Sequence, residues 1–314
     1  MKVLVTGSAG FIASTLIPKL ANNGHTVVGV DSLVSGTKNH IFFPVCDHLF
    51  FDINDTDRLV RALDGVDVVY HLAAKGNVVE SVNDPVDNFH SNVSSTISLL
   101  ESMRSAGCRR IVFASTGGAL MGDSTPPVDE TTLPKPISPY GASKLACEGY
   151  LSAYSKSFGF SSVILRFGNV YGPFSTHKVG VINRWIRMAI EKQPILIYGD
   201  GSSSRDYIHV NDLTDGLYSV LSRFSSKSVN LFETYHLANH KEITLHDLKN
   251  IIAQCIGGDN LKVNYLPARV GEVSRNFANI DLASTFLAFN PSVDFLNGVS
   301  ALYEWILEYE YAGR

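Results

Sequence analysis

The stretch Val3–Ser14, which reads VLVTGSAGFIAS, constrains the fold of this chain more than any other. Residues that favour a strand run directly into Gly7 and Gly10, and an amphipathic helix follows at once. A tight glycine turn between a buried strand and a helix N-terminus directs free backbone N–H groups at a ligand, a geometry that suits a pyrophosphate. Ala13 stands where a third glycine often occurs and is small enough for close packing. A purely structural turn is the alternative interpretation of this stretch taken alone.

A second predicted strand, Thr26–Val30, ends in Asp31. An acidic residue at about this distance after a glycine turn accepts hydrogen bonds from the hydroxyls of an adenosine ribose. A carboxylate there also repels a 2′-phosphate. The pair of features therefore predicts a dinucleotide site and favours NAD over NADP.

Strand and helix patterns alternate through the first half of the chain, which predicts a parallel sheet covered by helices on both faces. We therefore expect an α/β fold with a Rossmann-type doubly wound sheet. After about Asn169 the pattern changes to short elements and loops rich in Gly, Ser and Pro, which predicts a smaller, interleaved α/β lobe. The expected dinucleotide-binding domain spans residues 1–168, with 206–235 returning to it. Residues 169–205 and 236–314 form the expected substrate lobe.

Composition excludes several classes of function. The 314 residues carry a net charge of -4, so no basic surface indicates a nucleic-acid partner. No apolar run approaches the roughly 20 residues that cross a bilayer, so we expect no membrane partner. The four cysteines lack metal-ligand spacing and are typical of reduced thiols. With no apparent signal peptide at the N-terminus, these features predict a cytoplasmic protein without a metal site.

Residues 138–144 read SPYGASK and form the second informative motif. Ser138 can cap a helix and Pro139 suits its first position, so Tyr140 and Lys144 would lie one turn apart on one face. A nearby ammonium stabilises a phenolate, so we expect Lys144 to lower the pKa of Tyr140 and make it a general base. The alternative is an ordinary surface pair on an amphipathic helix.

The third motif is Ser115-Thr116-Gly117-Gly118 at the end of a predicted strand, Arg110–Ser115. Hydroxyls at the carboxyl end of a parallel strand face the ligand crevice of such a sheet. Either Thr116 or Ser115 could bind and polarise a substrate hydroxyl. An ordinary polar turn before a glycine loop is the alternative.

These motifs, together with Asp52-Ile53, His71–Ala74 and Leu165–Pro173, resemble the extended short-chain dehydrogenase/reductase family over nearly the whole chain. The resemblance implies NAD as cofactor, with Thr116, Tyr140 and Lys144 as catalytic residues. The cofactor-binding residues that it implies are Gly7, Gly10, Phe11, Ile12, Asp31, Ser32, Ser35, Gly36, Asp52, Ile53, Leu72, Ala73, Ala74, Asn92, Ser115, Tyr140, Lys144 and Gly168.

The second half of the chain resembles the nucleotide-sugar enzymes of that family. The segments that carry this likeness are 165–173, 199–210 and Arg269-Val-Gly-Glu272, and guanidinium groups there suit a diphosphate. The substrate-binding residues implied are Thr116, Asn169, Val181, Arg205, Arg269, Glu272 and Asn276. Asn276 falls at a position beside the sugar where smaller residues go with N-acetylated hexoses, so an N-acetylhexosamine is one hypothesis. A uronate sugar remains open.

Within the family, the sequence is most similar to UDP-sugar 4-epimerases. The resemblance implies that Tyr140 removes the proton of the sugar 4-hydroxyl while hydride passes to NAD, and that a 4-keto sugar turns over in the site. Related dehydratases and decarboxylases carry acidic residues after the active-site hydroxyl, but Gly117 and Gly118 stand there instead. Those two activities, a 4-keto-sugar reductase and a non-catalytic NAD-binding regulator remain the alternatives. Met121, where relatives often have tyrosine, leaves the choice between Thr116 and Ser115 open.

Two predicted helices, Pro85–Ala106 and Pro139–Phe158, carry apolar residues on more than one face. The equivalent helices of relatives form a four-helix dimer interface. The resemblance therefore implies a homodimer.

Overall fold

The computed structural model describes residues 1–36, 45–176, 178–225, 230–257, 261–268 and 273–312. The strands are β1 (Lys2–Thr6), β2 (Thr26–Asp31), β3 (Asp47–Phe50), β4 (Val68–His71), β5 (Arg110–Thr116), β6 (Ser161–Phe167), β7 (Asn169–Tyr171), β8 (Ile195–Tyr198), β9 (Ser204–Arg205), β10 (Tyr207–His209), β11 (Phe232–Leu237), β12 (Ile243–Thr244), β13 (Val263–Leu266) and β14 (Arg275–Asn276). The α-helices are α1 (Phe11–Asn22), α2 (Thr56–Ala62), α3 (Val78–Asn83), α4 (Pro85–Phe89), α5 (Ser95–Ala106), α6 (Gly118–Met121), α7 (Pro139–Phe158), α8 (Val181–Ile190), α9 (Val210–Ser219), α10 (Leu221–Ser225), α11 (Leu245–Cys255), α12 (Asp281–Leu287) and α13 (Phe295–Glu310).

Seven of these strands form the central sheet, in the order β11-β6-β5-β4-β1-β2-β3. Every neighbouring pair in the sheet is parallel. Alternate residues of β1 belong to opposite apolar clusters, with Val3 and Val5 packed among side chains of α1 and α9. Leu4 packs on the other face among side chains of α2, α5 and α7. Because helices cover both faces, the Rossmann-type doubly wound fold is confirmed.

A third apolar cluster joins α8, α11 and α13, which all follow β6 in the chain, and Trp185 and Leu248 are fully buried in it. Two small sheets accompany this cluster, β13 with β8 and β12-β9-β14. The chain is interleaved, because β10 leads into α9 on the main sheet and β11 pairs with β6. The main sheet therefore includes residues as far as Leu237, beyond the 206–235 segment expected to return to it.

The helix predicted at Pro85–Ala106 is present as three consecutive helical segments. Asp84 caps α4 by accepting from the Asp87 N–H, and a separate short helix, α3, precedes it. A π-helical turn, His90–Ser94, then joins α4 to α5. The Asp84-Pro85 pair ends α3 and starts α4, so the helix begins at the predicted residue.

All four cysteines are free thiols. In the described part of the chain, no group of His, Cys, Asp or Glu side chains is arranged to hold a metal ion. None of the described helices combines the length and apolar character needed to span a bilayer.

Candidate active site

The glycine turn lies between β1 and α1, where the sequence predicted it. Gly7 has a φ of +71°, and a Cβ at this position would lie 2.8 Å from the Ala73 backbone nitrogen. Gly10 is the N-cap of α1 and offers no side-chain cap. The N–H groups of the first turn, at Phe11 and Ile12, therefore have no intrahelical acceptor. Gly7 therefore lets the turn approach the Ala73 backbone closely, and the free N–H groups of α1 can bind an anion.

Asp31 ends β2 directly beside this turn. Its Oδ2 accepts from the Ala9 N–H at 2.9 Å and its Oδ1 accepts from the Leu33 N–H at 2.7 Å. Each carboxylate oxygen can accept a second hydrogen bond, so Asp31 can order the turn and still bind ribose hydroxyls.

Gly36 folds back onto the turn, since a Cβ there would lie 2.8 Å from the Ala9 Cβ. Ser32 and Ser35 lie on the exposed loop between Asp31 and Gly36. Residues 37–44, which follow, lie outside the described residues.

The other predicted cofactor residues lie along neighbouring strand ends. Asp52 follows β3 and accepts from the Asn54 N–H and side-chain amide, while Ile53 is packed in the core. Leu72, Ala73 and Ala74 follow β4, and Ala73 N–H donates to Thr6 Oγ1 at 3.3 Å. Their positions form a line along the carboxyl edge of the sheet.

Asn92, in the π-helical turn, holds the loop after β4 rather than reaching into the crevice. Its Oδ1 accepts from the Lys75 N–H at 2.9 Å, and its Nδ2 donates to the Lys75 carbonyl at 3.1 Å. Because both ends of the amide bind one backbone, Asn92 fixes the loop that carries Gly76. A Cβ on Gly76 would lie 3.7 Å from the Tyr140 hydroxyl.

Tyr140 and Lys144 lie in the first two turns of α7, which Ser138 caps by accepting from the Gly141 N–H. Lys144 is 3% exposed, and its Nζ donates to the Ala114 carbonyl at 2.8 Å. The ammonium lies 6.0 Å from the centre of the Tyr140 ring. The lysine therefore bridges α7 to the end of β5, beside the tyrosine.

The prediction that the pKa of Tyr140 is lowered is wrong for the protein without a ligand. Burial raises the pKa of Tyr140 to about 12, and burial also lowers the pKa of Lys144 to about 8. Desolvation by burial is the largest cause of both shifts, because it disfavours the charged form of each group. A further positive charge in the site would favour the phenolate form of Tyr140.

The structure distinguishes the two adjacent hydroxyls of β5. Ser115 is 3% exposed and its Oγ donates to Glu148 Oε1 at 2.6 Å. Thr116 is less buried, and its Oγ1 accepts from the Ala119 N–H at 3.4 Å within the turn. Thr116 is thus the hydroxyl that can face a ligand, while Ser115 is committed to the protein interior.

Gly141 allows the Thr116 turn to approach the tyrosine helix. A Cβ on Gly141 would overlap the Ala119 carbonyl oxygen, so no larger residue fits between α6 and α7. Thr116 lies two residues before the start of α6, and Tyr140 directly precedes Gly141. The glycine therefore sets the spacing of the two predicted catalytic side chains.

A cavity of about 130 Å³ lies in the second lobe and is lined by Val181 and Arg205 together with Arg184, Tyr198 and Tyr207. Two of the predicted substrate residues are thereby brought together. Arg269 and Glu272 lie outside the described residues.

Asn276 lies where the second lobe meets the turn that follows Thr116. It pairs with Arg205 between β14 and β9, is 6% exposed, and its Nδ2 lacks a hydrogen-bond partner among the described residues. A Cβ on Gly118 would lie 3.4 Å from Asn276 Oδ1. The amide therefore lies between the Thr116 turn and the arginine.

Gly168 and Asn169 mark the crossing from β6 to β7. The Gly168 N–H donates to Leu237 O at 2.9 Å, and the Asn169 N–H donates to Asp206 O at 2.7 Å. Asn169 is exposed at the carboxyl edge, as its predicted role requires.

The sequence did not single out several buried polar residues around the site. Glu148 and Arg166 form an ion pair at 2.8 Å, each 8% exposed. Asp206 accepts backbone N–H groups from Asn239, His240 and Ala278, and burial raises its pKa to about 6. Asp206 lies in the 199–210 segment, but its three partners are distant in sequence, so the sequence gives no signal for these contacts.

Comparison with known proteins gives consistent results. The model of the NAD dependent epimerase/dehydratase family matches residues 3–233. The chain is 36% identical over 308 residues to the putative UDP-glucose 4-epimerase of Methanocaldococcus jannaschii, covering 97% of this chain and 98% of that protein.

Two solved structures are similar along their whole length. UDP-glucuronic acid 4-epimerase from Bacillus cereus, in complex with UDP-glucuronic acid and NAD, gives a TM-score of 0.90 at 32% identity, covering 98% of this chain and 99% of that one. UDP-N-acetylglucosamine 4-epimerase from Methanobrevibacter ruminantium, in complex with UDP-N-acetylmuramic acid, gives a TM-score of 0.89 at 28% identity, covering 98% of each chain. The sugars of these proteins differ, while the fold is shared.

Proposed function

Because the chain belongs to the NAD dependent epimerase/dehydratase family, we propose that it inverts C4 of a UDP-sugar with bound NAD as its cofactor. The observation that carries the proposal is the convergence of Tyr140, Lys144 and Thr116 at the edge of the sheet that also carries the glycine turn. The family resemblance predicted from the sequence is confirmed by the match over residues 3–233.

The residues present fit an NAD molecule. Gly7 packs closely against the Ala73 backbone, and the first-turn N–H groups of α1, which have no side-chain cap, remain free to bind a pyrophosphate. Asp31 retains acceptor capacity for the ribose beside it. When bound, NAD supplies the acceptor and later the donor of the C4 hydride, and the positive charge of its oxidised ring favours the Tyr140 phenolate.

The side chains of the protein then have distinct roles. Tyr140 takes the proton of the sugar 4-hydroxyl and later returns it. Thr116 hydrogen-bonds the 4-oxygen, and Lys144 holds a positive charge beside the phenolic ring while bound to Ala114. Arg205, in the second-lobe cavity, holds the nucleotide away from the reacting carbon. Binding energy placed there leaves the sugar free to turn between the two half-reactions.

The reaction is tested on the purified protein without added cofactor. We expect UDP-hexoses to exchange axial and equatorial C4 configurations, read by NMR, with no net change in cofactor. Water loss or carbon dioxide release would indicate a dehydratase or a decarboxylase. A requirement for added reduced cofactor would indicate a keto-sugar reductase. Each of these results would contradict the proposal.

The sugar is proposed from Asn276. Its buried amide lies beside Gly118 and has a donor with no partner among the described residues, so it suits an oxygen of a C2 substituent. We therefore expect turnover of UDP-N-acetylglucosamine as well as UDP-glucose. Asn276→Tyr should reduce turnover of the N-acetylated substrate and retain that of UDP-glucose. Failure of the unmodified protein to convert UDP-N-acetylglucosamine would contradict this assignment.

We also propose a homodimer through the α4–α5 and α7 face. Four apolar side chains on the predicted helices are between 43% and 63% exposed, namely Val86, Phe89, Tyr150 and Phe158. Val78, Val79 and Val82 extend the exposed apolar surface onto α3. Because α3 and α4 both pack against α7, these side chains lie on adjacent helices, and exposed apolar side chains on such a face are typical of an interaction surface. Light scattering should give twice the 34.3 kDa chain mass, and a monomer would contradict the proposal.

A further inference from the structure

Lys178 lies in the loop between β7 and α8, a segment to which the sequence gave no role. The Lys178 N–H donates to Ser175 O at 2.9 Å. Ser175 is 1% exposed, donates to the Gly172 carbonyl and accepts from Asn183 Nδ2 at 2.7 Å. The loop that carries Lys178 is therefore held to both flanking elements.

The ammonium of Lys178 has few partners for a charged group. Its Nζ donates to the Val170 carbonyl and lies 5.4 Å from the centre of the Phe11 ring. An ammonium has three donors, and no carboxylate in the described part of the chain pairs with it. Burial lowers the pKa of Lys178 to about 8. The charge is thus partly desolvated without an anion to compensate it, which is uncommon unless a ligand supplies one.

The residues around the Lys178 ammonium indicate what kind of anion would bind there. Phe11 is the first residue of α1, directly after Gly10 of the glycine turn. Val170, the other contact, directly follows Asn169 at the carboxyl edge of the sheet. Lys178 therefore lies between the glycine turn and the start of the second lobe, where a diphosphate can accept its free donors.

We propose that Lys178 binds a diphosphate at the glycine turn and thereby ties the β7–α8 loop to the bound nucleotide. The proposal rests on the proposed function, which places two diphosphates in this crevice, one in NAD and one in the UDP-sugar. The Phe11 contact favours the diphosphate of NAD. The experiment separates the two sources.

The test measures nucleotide binding rather than turnover. Protein freed of nucleotide is titrated calorimetrically with ADP-ribose, with adenosine and with UDP. The variants are Lys178→Gln, Lys178→Arg and, as a matched control, Lys262→Gln, since Lys262 is an exposed lysine of the second lobe. Thermal unfolding without nucleotide confirms that each variant is folded, and Lys178→Arg retains the charge should the glutamine variant be unstable.

We expect Lys178→Gln to weaken ADP-ribose binding by about tenfold or more, the effect of one charge-assisted hydrogen bond. Adenosine binding and all binding by Lys262→Gln should stay unchanged, and Lys178→Arg should restore most of the affinity. Weakened UDP binding with unchanged ADP-ribose binding would assign Lys178 to the UDP-sugar. Unchanged binding of both diphosphates would overturn the proposal even in an active epimerase. Absence of epimerase activity in the unmodified protein would instead contradict the proposed function.

Discussion

Ser115 donates its hydroxyl hydrogen to Glu148 across 2.6 Å, so one of the two adjacent hydroxyls at the end of β5 is turned away from the crevice. In the proposed function, Thr116 is therefore the hydroxyl that binds the sugar. Thr116→Ala should lower kcat/KM by about 100-fold, as removal of one transition-state hydrogen bond does. Ser115→Ala should retain most activity and lower the free energy of unfolding by about 1 kcal/mol. Steady-state kinetics of both variants check this, and the reverse order would contradict it.

Glu148 should matter for stability through Arg166, since the two form a buried ion pair. Glu148→Met leaves the guanidinium buried without its anion, at a cost of about 3–5 kcal/mol. Adding Arg166→Met removes the unpaired charge, so the double variant should be more stable than Glu148→Met. Urea unfolding at equal cofactor loading measures the difference. A double variant less stable than Glu148→Met would show that the pair does not behave as one unit.

Gly7 should be required for cofactor retention because of its close approach to Ala73. Gly7→Ala introduces both backbone strain at φ +71° and a Cβ 2.8 Å from the Ala73 nitrogen. Gly24→Ala is a matched control, since Gly24 has φ +79° with open space around it. Both variants should lose about 1–2 kcal/mol from strain. Only Gly7→Ala should lose NAD. The NAD content of each purified variant is measured after release with acid. Equal NAD content in the two variants would show that the approach to Ala73 is not needed for cofactor retention.

His236 should make the protein acid-sensitive. Burial lowers the pKa of His236 to about 4, below the usual value of about 6.5. The unfolded chain therefore binds a proton between pH 6.5 and 4 that the folded chain does not, so stability falls as the pH decreases through that window. The free energy of unfolding should therefore decrease by about 2 kcal/mol less between pH 7 and pH 5 in His236→Gln than in the unmodified protein. Parallel pH profiles for variant and unmodified protein would refute this.

The parts of the site that the sequence predicted are those encoded by short spacings. The Gly7–Gly10 turn, Asp31 at the next strand end and the Tyr140–Lys144 turn each depend on neighbours along the chain. Asp31 nevertheless bonds the Ala9 and Leu33 N–H groups, a detail that depends on how the loop folds.

The remaining features depend on contacts between distant segments. In the sequence, nothing distinguishes Glu148 and Arg166 from surface charges. They form an ion pair because β6, which carries Arg166, packs against α7, which carries Glu148. The position of Lys178 beside the glycine turn is shown only by its contact with Phe11, which is distant in sequence. The pKa of Tyr140 was expected in the wrong direction because burial, which raises it, follows from packing rather than spacing.

The proposed epimerisation depends on proton transfer by Tyr140, so Tyr140→Phe is its decisive test. The variant removes one oxygen at a position whose backbone N–H bonds Ser81, so the fold and NAD content should be unchanged. We expect C4 exchange of a UDP-hexose, followed by NMR, to fall by at least about 100-fold while NAD remains bound. Undiminished exchange by a folded, NAD-loaded Tyr140→Phe protein would show that Tyr140 does not transfer the proton.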